Sequence, residues 1–456
     1  MSRWRSLLDT LKDGPARDLN LSTGTAFTLV VRVISYALVA ITGIVMARAL
    51  GAHDRGAYSL VTTIALTYAA LSEVGISKAG VYFVGQRRTT VQDVTSNSLA
   101  WLLVFGTLWT GGALLFLVLW PGAFEEMKLS DVLVFALGGV LIQLTAMAKD
   151  QVVMTGSVLS YNLIEFAEPL LRAVLIMGGI ALFGLSVTGV LSSWLIAIAL
   201  TALIAVVLMS KRASLTPRPR FRLLKQQLSY GARGNLGFML QAANHRLDVF
   251  LIAGMLGGTQ LGYYAVAFGM AELLWQIPFA LGALFFPKVS AMDAGANAEI
   301  AAVTCRRALV IIVFGVLALL ATGHFLIGTL YGSEFLPGLT AFYILAPTGI
   351  FYTIHKVLSS ALAGRGMPES TLIGGVASIP ITIGLCVLLI PRLGIEGAAI
   401  ASFAAYAVNA IVILIIFMRV TGRSLANVLL FNRSDFEFSL QTARTFLGRP
   451  QPVIAD

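Results

Sequence analysis

Four polar residues within one apolar segment are spaced to share a helix face. Tyr161, Glu165, Glu168 and Arg172 follow one another at intervals of four, three and four residues, which places their side chains on one side of an α-helix. Carboxylates in an apolar setting could bind a coupling ion, and an arginine there could bind an anion through two parallel hydrogen bonds. The structural alternative is an intrahelical charge pair between these acids and Arg172.

A second polar stripe runs along a later apolar segment, at Tyr230, Arg233, Gly237, Gln241, Asn244 and Asp248, with His245 and Arg246 beside it. Ionisable residues inside a membrane are costly and are functional candidates by default. We expect cationic and amide groups to contact an anionic substrate: Arg32, Arg172, Arg233, Arg246, Lys356, Gln241 and Asn244. We expect no cofactor, and a coupling proton or sodium ion could bind at four acids: Asp248, Glu272, Glu165 and Glu168.

The amino-acid composition indicates that this chain is a membrane protein. Apolar residues make up 57% of the 456 residues and charged residues 12%, about half the roughly 25% usual in globular proteins. A transmembrane helix needs about 20 mainly apolar residues, and twelve segments qualify. They are residues 24–48, 58–83, 98–120, 131–154, 161–183, 186–209, 228–256, 261–289, 303–326, 339–363, 370–390 and 397–418.

A repeated glycine turn indicates that these segments form two copies of one unit. Leu50-Gly51 followed by Gly56 and Tyr58 returns 206 residues later as Leu256-Gly257, Gly262 and Tyr264. A parallel repeat of this kind is typical of transporters, so we predict an all-α polytopic fold with two six-helix lobes. The predicted organisation is a cytoplasmic interfacial segment (1–20), an N-terminal lobe (21–210), a basic cytoplasmic linker (211–225), a C-terminal lobe (226–418) and a cytoplasmic tail (419–456).

The distribution of basic residues predicts the orientation. The first tail, the second loop, the linker and the C-terminal tail carry most of the lysine and arginine outside the segments, and all four lie on one side. By the positive-inside rule both termini are cytoplasmic. Membrane topology and anionic lipid therefore account for the net charge of +10, and no nucleic acid partner is expected.

Missing motifs argue against an enzyme. The sequence has no Walker A motif and no histidine or cysteine cluster with metal-ligand spacing, so neither an internal ATPase nor a metal site is indicated. Its two cysteines, Cys305 and Cys386, stand alone in apolar segments. A membrane-embedded glycosyltransferase or acyltransferase would need an acid/base pair near a membrane face, and Glu165 with Glu168 is the one nearby pair.

Loose motifs resemble a known transporter family. The stretch from Gly43 to Gly51, Gly56-Ala-Tyr58 and Glu73-Val-Gly-Ile76 resemble the opening helices of Wzx-type polysaccharide flippases, members of the multidrug/oligosaccharidyl-lipid/polysaccharide (MOP) exporter superfamily. Arg246-Leu-Asp248 and Gly262-Tyr-Tyr264 extend the likeness into the second half. Similarity covers roughly residues 21–418, and motifs of this kind specify the superfamily better than the substrate.

The resemblance implies a secondary transporter of a bacterial inner membrane. It would move a polyprenyl-pyrophosphate-linked oligosaccharide to the outer leaflet by alternating access, for O-antigen, capsule or exopolysaccharide synthesis. Its expected partners are that lipid-linked substrate, membrane lipids, and the proteins that polymerise and export the glycan. An ion-coupled drug or cation exporter of the MATE type is the rival within the superfamily, although its cavity would be dominated by acids. A peptidoglycan lipid-precursor flippase would resemble a relative with two more helices.

Overall fold

The computed structural model describes residues 21–119, 129–184, 186–290 and 292–437. All of the regular structure in these ranges is helical. The predicted interfacial segment, residues 1–20, and the tail beyond residue 437 lie outside them. The first seven helices are α1 (Leu21–Ser72), α2 (Ile76–Gly85), α3 (Val91–Leu119), α4 (Leu129–Met154), α5 (Val158–Phe183), α6 (Val187–Ser210) and α7 (Phe221–Asn244).

The rest of the described chain forms nine more α-helices, three short helical turns of other types and a helical stretch at residues 433–437. The α-helices are α8 (Leu247–Leu256), α9 (Gly258–Glu272), α10 (Gln276–Ser290), α11 (Ala294–Leu326), α12 (Leu339–Leu345), α13 (Thr348–Gly364), α14 (Glu369–Leu393), α15 (Ile395–Thr421) and α16 (Leu425–Leu429). A 3-10 turn (Leu273–Trp275) joins α9 to α10, and a π turn (Ile327–Tyr331) and a 3-10 turn (Ser333–Gly338) lie between α11 and α12.

The predicted apolar segments correspond to these helices. Within the described residues eight helices are long and apolar enough to cross a membrane, and the bent pair Ser333–Leu345 and Thr348–Gly364, at 45°, would make a ninth. The difference from twelve has identifiable causes. The first two segments share α1, the fifth carries three charges, and the seventh is broken at residues 245–246. An all-α polytopic membrane protein is confirmed, and the number twelve stays a prediction.

The repeated glycine turn has the same backbone conformation in both copies. Gly51 interrupts α1 at φ 74° and ψ 177°, and Gly257 separates α8 from α9 at φ 81° and ψ −178°. This combination is essentially restricted to glycine. The turn therefore requires glycine in each half, and its repetition supports the prediction of an internal repeat.

The chain divides into two compact units, the first ending at Asn235 and the second beginning at Leu236. The division falls inside α7, so the predicted linker and the start of the seventh segment belong to the first unit. In the first unit α1 packs on α4 and α5, and α4 and α5 both pack on α6. In the second, α13 packs on α10, α11 and α15, and α14 packs on α15. Many large apolar side chains are exposed, among them Val33, Leu108 and Phe314, as suits lipid-facing helices.

The predicted basic linker is bound along the first two turns of α3. Side chains of α3 hold backbone groups of the linker, and Arg220 also forms an ion pair with Asp93 at 2.8 Å. The N–H groups of Ser214, Arg218 and Arg220 donate to Gln92 Oε1, Ser96 Oγ and Asn97 Oδ1 at 2.6, 2.5 and 2.7 Å. We call residues 214–220 the linker strap. It is an ordered part of the first unit.

Two glycines bring α7 against the start of α2. A Cβ atom at Gly231 would lie 2.5 Å from the carbonyl oxygen of Gly75, and Gly75 itself has φ 73°. Real Cβ atoms essentially never approach backbone this closely. The crossing therefore depends on the missing side chain at both positions.

The C-terminal tail folds back onto α11. Asp435, 1% exposed, accepts hydrogen bonds from Arg306 Nε and from the Asn432 amide, both at 3.0 Å. Arg307 Nε lies 3.7 Å from the other carboxylate oxygen. Val428 of α16 is fully buried in the same core as α11. The tail up to Glu437 is therefore a docked element of the second unit.

Candidate functional site

In the first unit, three helices bring predicted site residues together. Arg32 of α1 donates from Nη2 to the Tyr161 hydroxyl at 3.3 Å, and its Nε lies 3.9 Å from Glu165 Oε1. Lys149 of α4 donates to Glu165 Oε2 at 2.9 Å. The side chains of Arg32, Lys149 and Glu165 are 20 to 30% exposed. We call these four residues the N-terminal cation cluster.

One turn further along α5, Arg172 and Glu168 form an ion pair. Arg172 Nε lies 3.3 Å from Glu168 Oε1, and Tyr58 is close to the same guanidinium. The intrahelical pair that we considered for the fifth segment is thus present for Glu168. It is not present for Glu165, which forms its ion pairs with α1 and α4 instead. The structural alternative, in which Arg172 pairs with both acids, is therefore wrong for Glu165.

In the second unit, the predicted stripe of the seventh segment is divided between two helices. Residues 245–246 form a turn, so Gln241 and Asn244 lie on α7 and Asp248 lies on α8. Gln241 Nε2 is 2.8 Å from His355 Nε2. Asn244 accepts from Thr382 Oγ1 at 2.7 Å and is buried. These amides connect α7 to α13 and α14, which is a packing role in this structure.

Asp248 is enclosed by hydroxyl and amide donors. Its Oδ2 accepts from the Tyr264 hydroxyl at 2.5 Å and from Ser402 Oγ at 2.9 Å, and its Oδ1 accepts from the Val249 amide at 2.8 Å. Asp248 is 1% exposed and therefore buried. All of these contacts come from neutral groups on α8, α9 and α15.

The other predicted residues lie on separate elements. The Arg246 guanidinium is 5.9 Å from the centre of the Phe268 ring, and Lys356 Nζ is 5.0 Å from the centre of the Phe279 ring. Glu272 ends α9, directly before the 3-10 turn. Arg233 lies on α7, and its side chain is outside the described part of the structure. No single site among the described residues unites all the predicted contacts.

The structure also shows an aromatic cluster that was not predicted. The Trp275 ring stacks on Tyr352 at 4.7 Å and meets Tyr406 edge to face at 5.0 Å. His245 lies 5.3 Å from Trp275, and the buried Nε1 of Trp275 and Nε2 of His245 have no hydrogen-bond partner among the described residues. His245 and Trp275 both stand at helix interruptions. Pro278, which follows the second interruption, is a partial signal for it in the sequence.

With this geometry established, the comparisons with known proteins assign the family. The sequence profile of the polysaccharide biosynthesis protein family matches residues 45–339, nearly two thirds of the chain. The chain belongs to this family. The resemblance noted from the glycine turns is thereby confirmed at the level of family, and the matched residues include both turns.

A curated relative and several solved structures are similar to it. A probable low-salt glycan biosynthesis flippase of Haloferax volcanii is 23% identical over 207 residues, 44% of each chain. The chain thus spans less than half the length of this curated relative. The lipid II flippase MurJ in its inward closed conformation superposes with a TM-score of 0.71 at 13% identity, over 92% of this chain and 96% of that one.

Drug exporters share the fold as well. An inward-facing MATE family transporter of the MOP superfamily has a TM-score of 0.67 at 19% identity, over 85% of this chain and 94% of that one. A Pyrococcus furiosus MOP transporter, described with a binding pocket of reverse polarity, has a TM-score of 0.59 at 19% identity, over 89% and 96%. At these identities the likeness shows the fold, which lipid flippases and drug exporters have in common.

Proposed function

We propose that this protein is a flippase that moves a polyprenyl-pyrophosphate-linked oligosaccharide from the cytoplasmic to the outer leaflet by alternating access, without covalent chemistry. The observation that carries the proposal is its membership of the polysaccharide biosynthesis family. The membrane is the bacterial inner membrane, with both termini in the cytoplasm. The glycan serves surface polysaccharide synthesis, and the partners are the proteins that polymerise and export it.

The charges of the first unit favour an anionic substrate. In the N-terminal cation cluster two cations pair with one carboxylate, so the ion-paired side chains of the cluster carry a net positive charge. Arginine suits a pyrophosphate because its planar fork donates two hydrogen bonds at once. A MATE-type exporter of cationic drugs would instead need an excess of acidic side chains at its binding site.

Asp248 is our preferred candidate for binding a coupling ion over Glu165 and Glu168. Glu165 and Glu168 are paired with cations, whereas the Asp248 carboxylate is held by neutral donors. Hydroxyl groups can donate or accept, so they accommodate an ionised, a protonated or a cation-bound carboxyl. We assign Asp248 to the binding of a coupling proton or sodium ion.

The experiment that tests the function is deletion of the gene in its native host. We expect cytoplasmic-facing lipid-linked oligosaccharide to accumulate and surface polysaccharide to be lost, with susceptibility to cationic drugs unchanged. Expression of the wild type should restore export. Arg172→Ala should not, and Arg172→Lys should restore it in part because the charge is kept without the bidentate fork. Unchanged lipid intermediates with increased drug sensitivity would refute the flippase and support the MATE-type alternative.

A further inference from the structure

The N-terminal cation cluster has a feature that the predicted contacts did not include. Lys149, which was not among them, makes the shortest ion-pair contact of the cluster, 2.9 Å from Glu165 Oε2. Glu165 Oε1 faces Arg32 at 3.9 Å. Each carboxylate oxygen thus faces a different cation, one from α1 and one from α4. Glu165 occupies the position between two cations that an external anion would need.

The cluster is built into the packing of three helices. Asn162, one turn before Glu165, donates to Thr28 Oγ1 at 2.9 Å, and Thr28 lies one turn before Arg32. Asn162 is 2% exposed. This contact fixes the register of α5 against α1, and both helices pack on α4. The two cations are therefore held at a defined separation.

The cluster is also accessible. Arg32 is 20% exposed, Glu165 22% and Lys149 30%, so none of these three side chains is fully buried. Separating the charges of a partly exposed ion pair costs less than separating those of a buried pair, because the separated charges can be solvated. An anion can reach the cations if it replaces the carboxylate.

We infer that Glu165 is an internal counter-ion, and that the pyrophosphate of the substrate displaces it to bind Lys149 and Arg32 together. The inference rests on the proposed function, since it names how the anionic head group is received. A pyrophosphate offers more charge and more acceptor oxygens than a carboxylate, and it can span two cations at once. Until that group arrives, Glu165 partly neutralises the two cations and occupies the position that another anion would need.

The displacement predicts opposite effects for two neighbouring substitutions. Glu165→Gln removes the competing charge at almost constant shape, so affinity for a pyrophosphate should rise by about tenfold, equivalent to about 1.4 kcal/mol. Lys149→Ala should lower it by about tenfold or more, and Lys149→Arg should keep most of it. A purely structural salt bridge predicts instead that both Glu165→Gln and Lys149→Ala weaken the protein and that neither binds more tightly.

The test uses the full chain, purified and reconstituted in nanodiscs, with geranylgeranyl pyrophosphate as the probe and geranylgeranyl monophosphate for comparison. Binding is measured by calorimetry beside thermal unfolding of each variant. The matched control is Glu73→Gln, because Glu73 is an acid of the same unit that pairs with Lys78 at 3.8 Å, outside the cluster. We expect tighter binding of the pyrophosphate by Glu165→Gln alone, with a smaller gain for the monophosphate.

Several results would overturn the inference. Binding by Glu165→Gln that is no tighter than wild type, or an equal gain in Glu73→Gln, would mean that Glu165 is not a competitor. If Lys149→Ala unfolds, the inference is still tested by the affinity of Lys149→Arg and by the gain in affinity expected for Glu165→Gln. If the wild type binds the probe but Glu165→Gln binds it no more tightly, the counter-ion inference is refuted and the proposed flippase function is not. If the wild type binds no prenyl pyrophosphate, both the inference and the proposed function are refuted.

Discussion

Asp435→Ala removes the carboxylate that holds the C-terminal tail on α11. The wild-type side chain accepts a charge-assisted hydrogen bond from Arg306 and a backbone hydrogen bond from Asn432. Breaking a buried ion pair by removing one partner costs about 3–5 kcal/mol. Arg307 is 35% exposed and can be solvated in the variant, so we place the loss of tail docking near the lower end, at about 3 kcal/mol.

The assay is amide hydrogen exchange on the reconstituted protein. A loss of about 3 kcal/mol corresponds to roughly a hundredfold faster exchange of amides that open with the tail, such as that of Leu430, which donates to Ala426. Amides in the middle of α15 should be unaffected. Faster exchange in the tail with unchanged exchange in α15 would show that the tail has lost its docking and that the protein as a whole has not been destabilised.

A matched control lies two residues further along the chain. Glu437 pairs with Arg433 at 3.2 Å, and both side chains are exposed, 58% and 95%. Exposed helical pairs of this kind contribute about 0.3–0.5 kcal/mol, so Glu437→Ala should change the exchange rate by less than about threefold. If Asp435→Ala remained within that same range, the docking energy assigned to the buried carboxylate would be wrong.

Three further predictions concern the two units. Arg32→Ala should abolish polysaccharide export in a complementation assay while Arg32→Lys restores part of it; full export by the alanine variant would place the anion site elsewhere. Gly231→Ala should lower the free energy of unfolding by about 1–3 kcal/mol, because the added methyl group clashes with Gly75. The control Gly254→Ala should leave it unchanged, because a Cβ atom there would have no neighbour within 4 Å. Asp248→Asn should fold but lose flipping driven by an imposed proton or sodium gradient in vesicles; retained gradient dependence would remove it from ion coupling.

Much of the fold is predictable because hydrophobic length dominates membrane helices. The repeated glycine turns and the apolar segments located the helices, since a bilayer requires about 20 apolar residues per span. The interruption at Leu273–Trp275 has a local cause in Pro278, whose ring conflicts with the carbonyl four residues earlier, at Leu274. The turn after Asn244 has no such local marker, and it separated Asp248 from the stripe to which its spacing assigned it.

The site was harder to predict because ion pairs between helices depend on tertiary register. Helical periodicity correctly placed Glu165 and Arg172 on one helix face, but it could not show that Glu165 would pair with Lys149 of another helix. The same limit applies to the aromatic cluster, where Trp275 and Tyr352 are distant in sequence. Periodicity reports which residues share a helix face, and it does not report the neighbour across from that face.

The linker strap sets an order for the biosynthesis of this chain. Asn97 is fully buried and Ser96 is 5% exposed, yet their partners, the amides of Arg220 and Arg218, lie more than 120 residues later. A buried polar group without a partner costs about 1–3 kcal/mol. These side chains can gain their linker partners only after the next three helices have been synthesised, so the linker must emerge before this part of the first unit is complete.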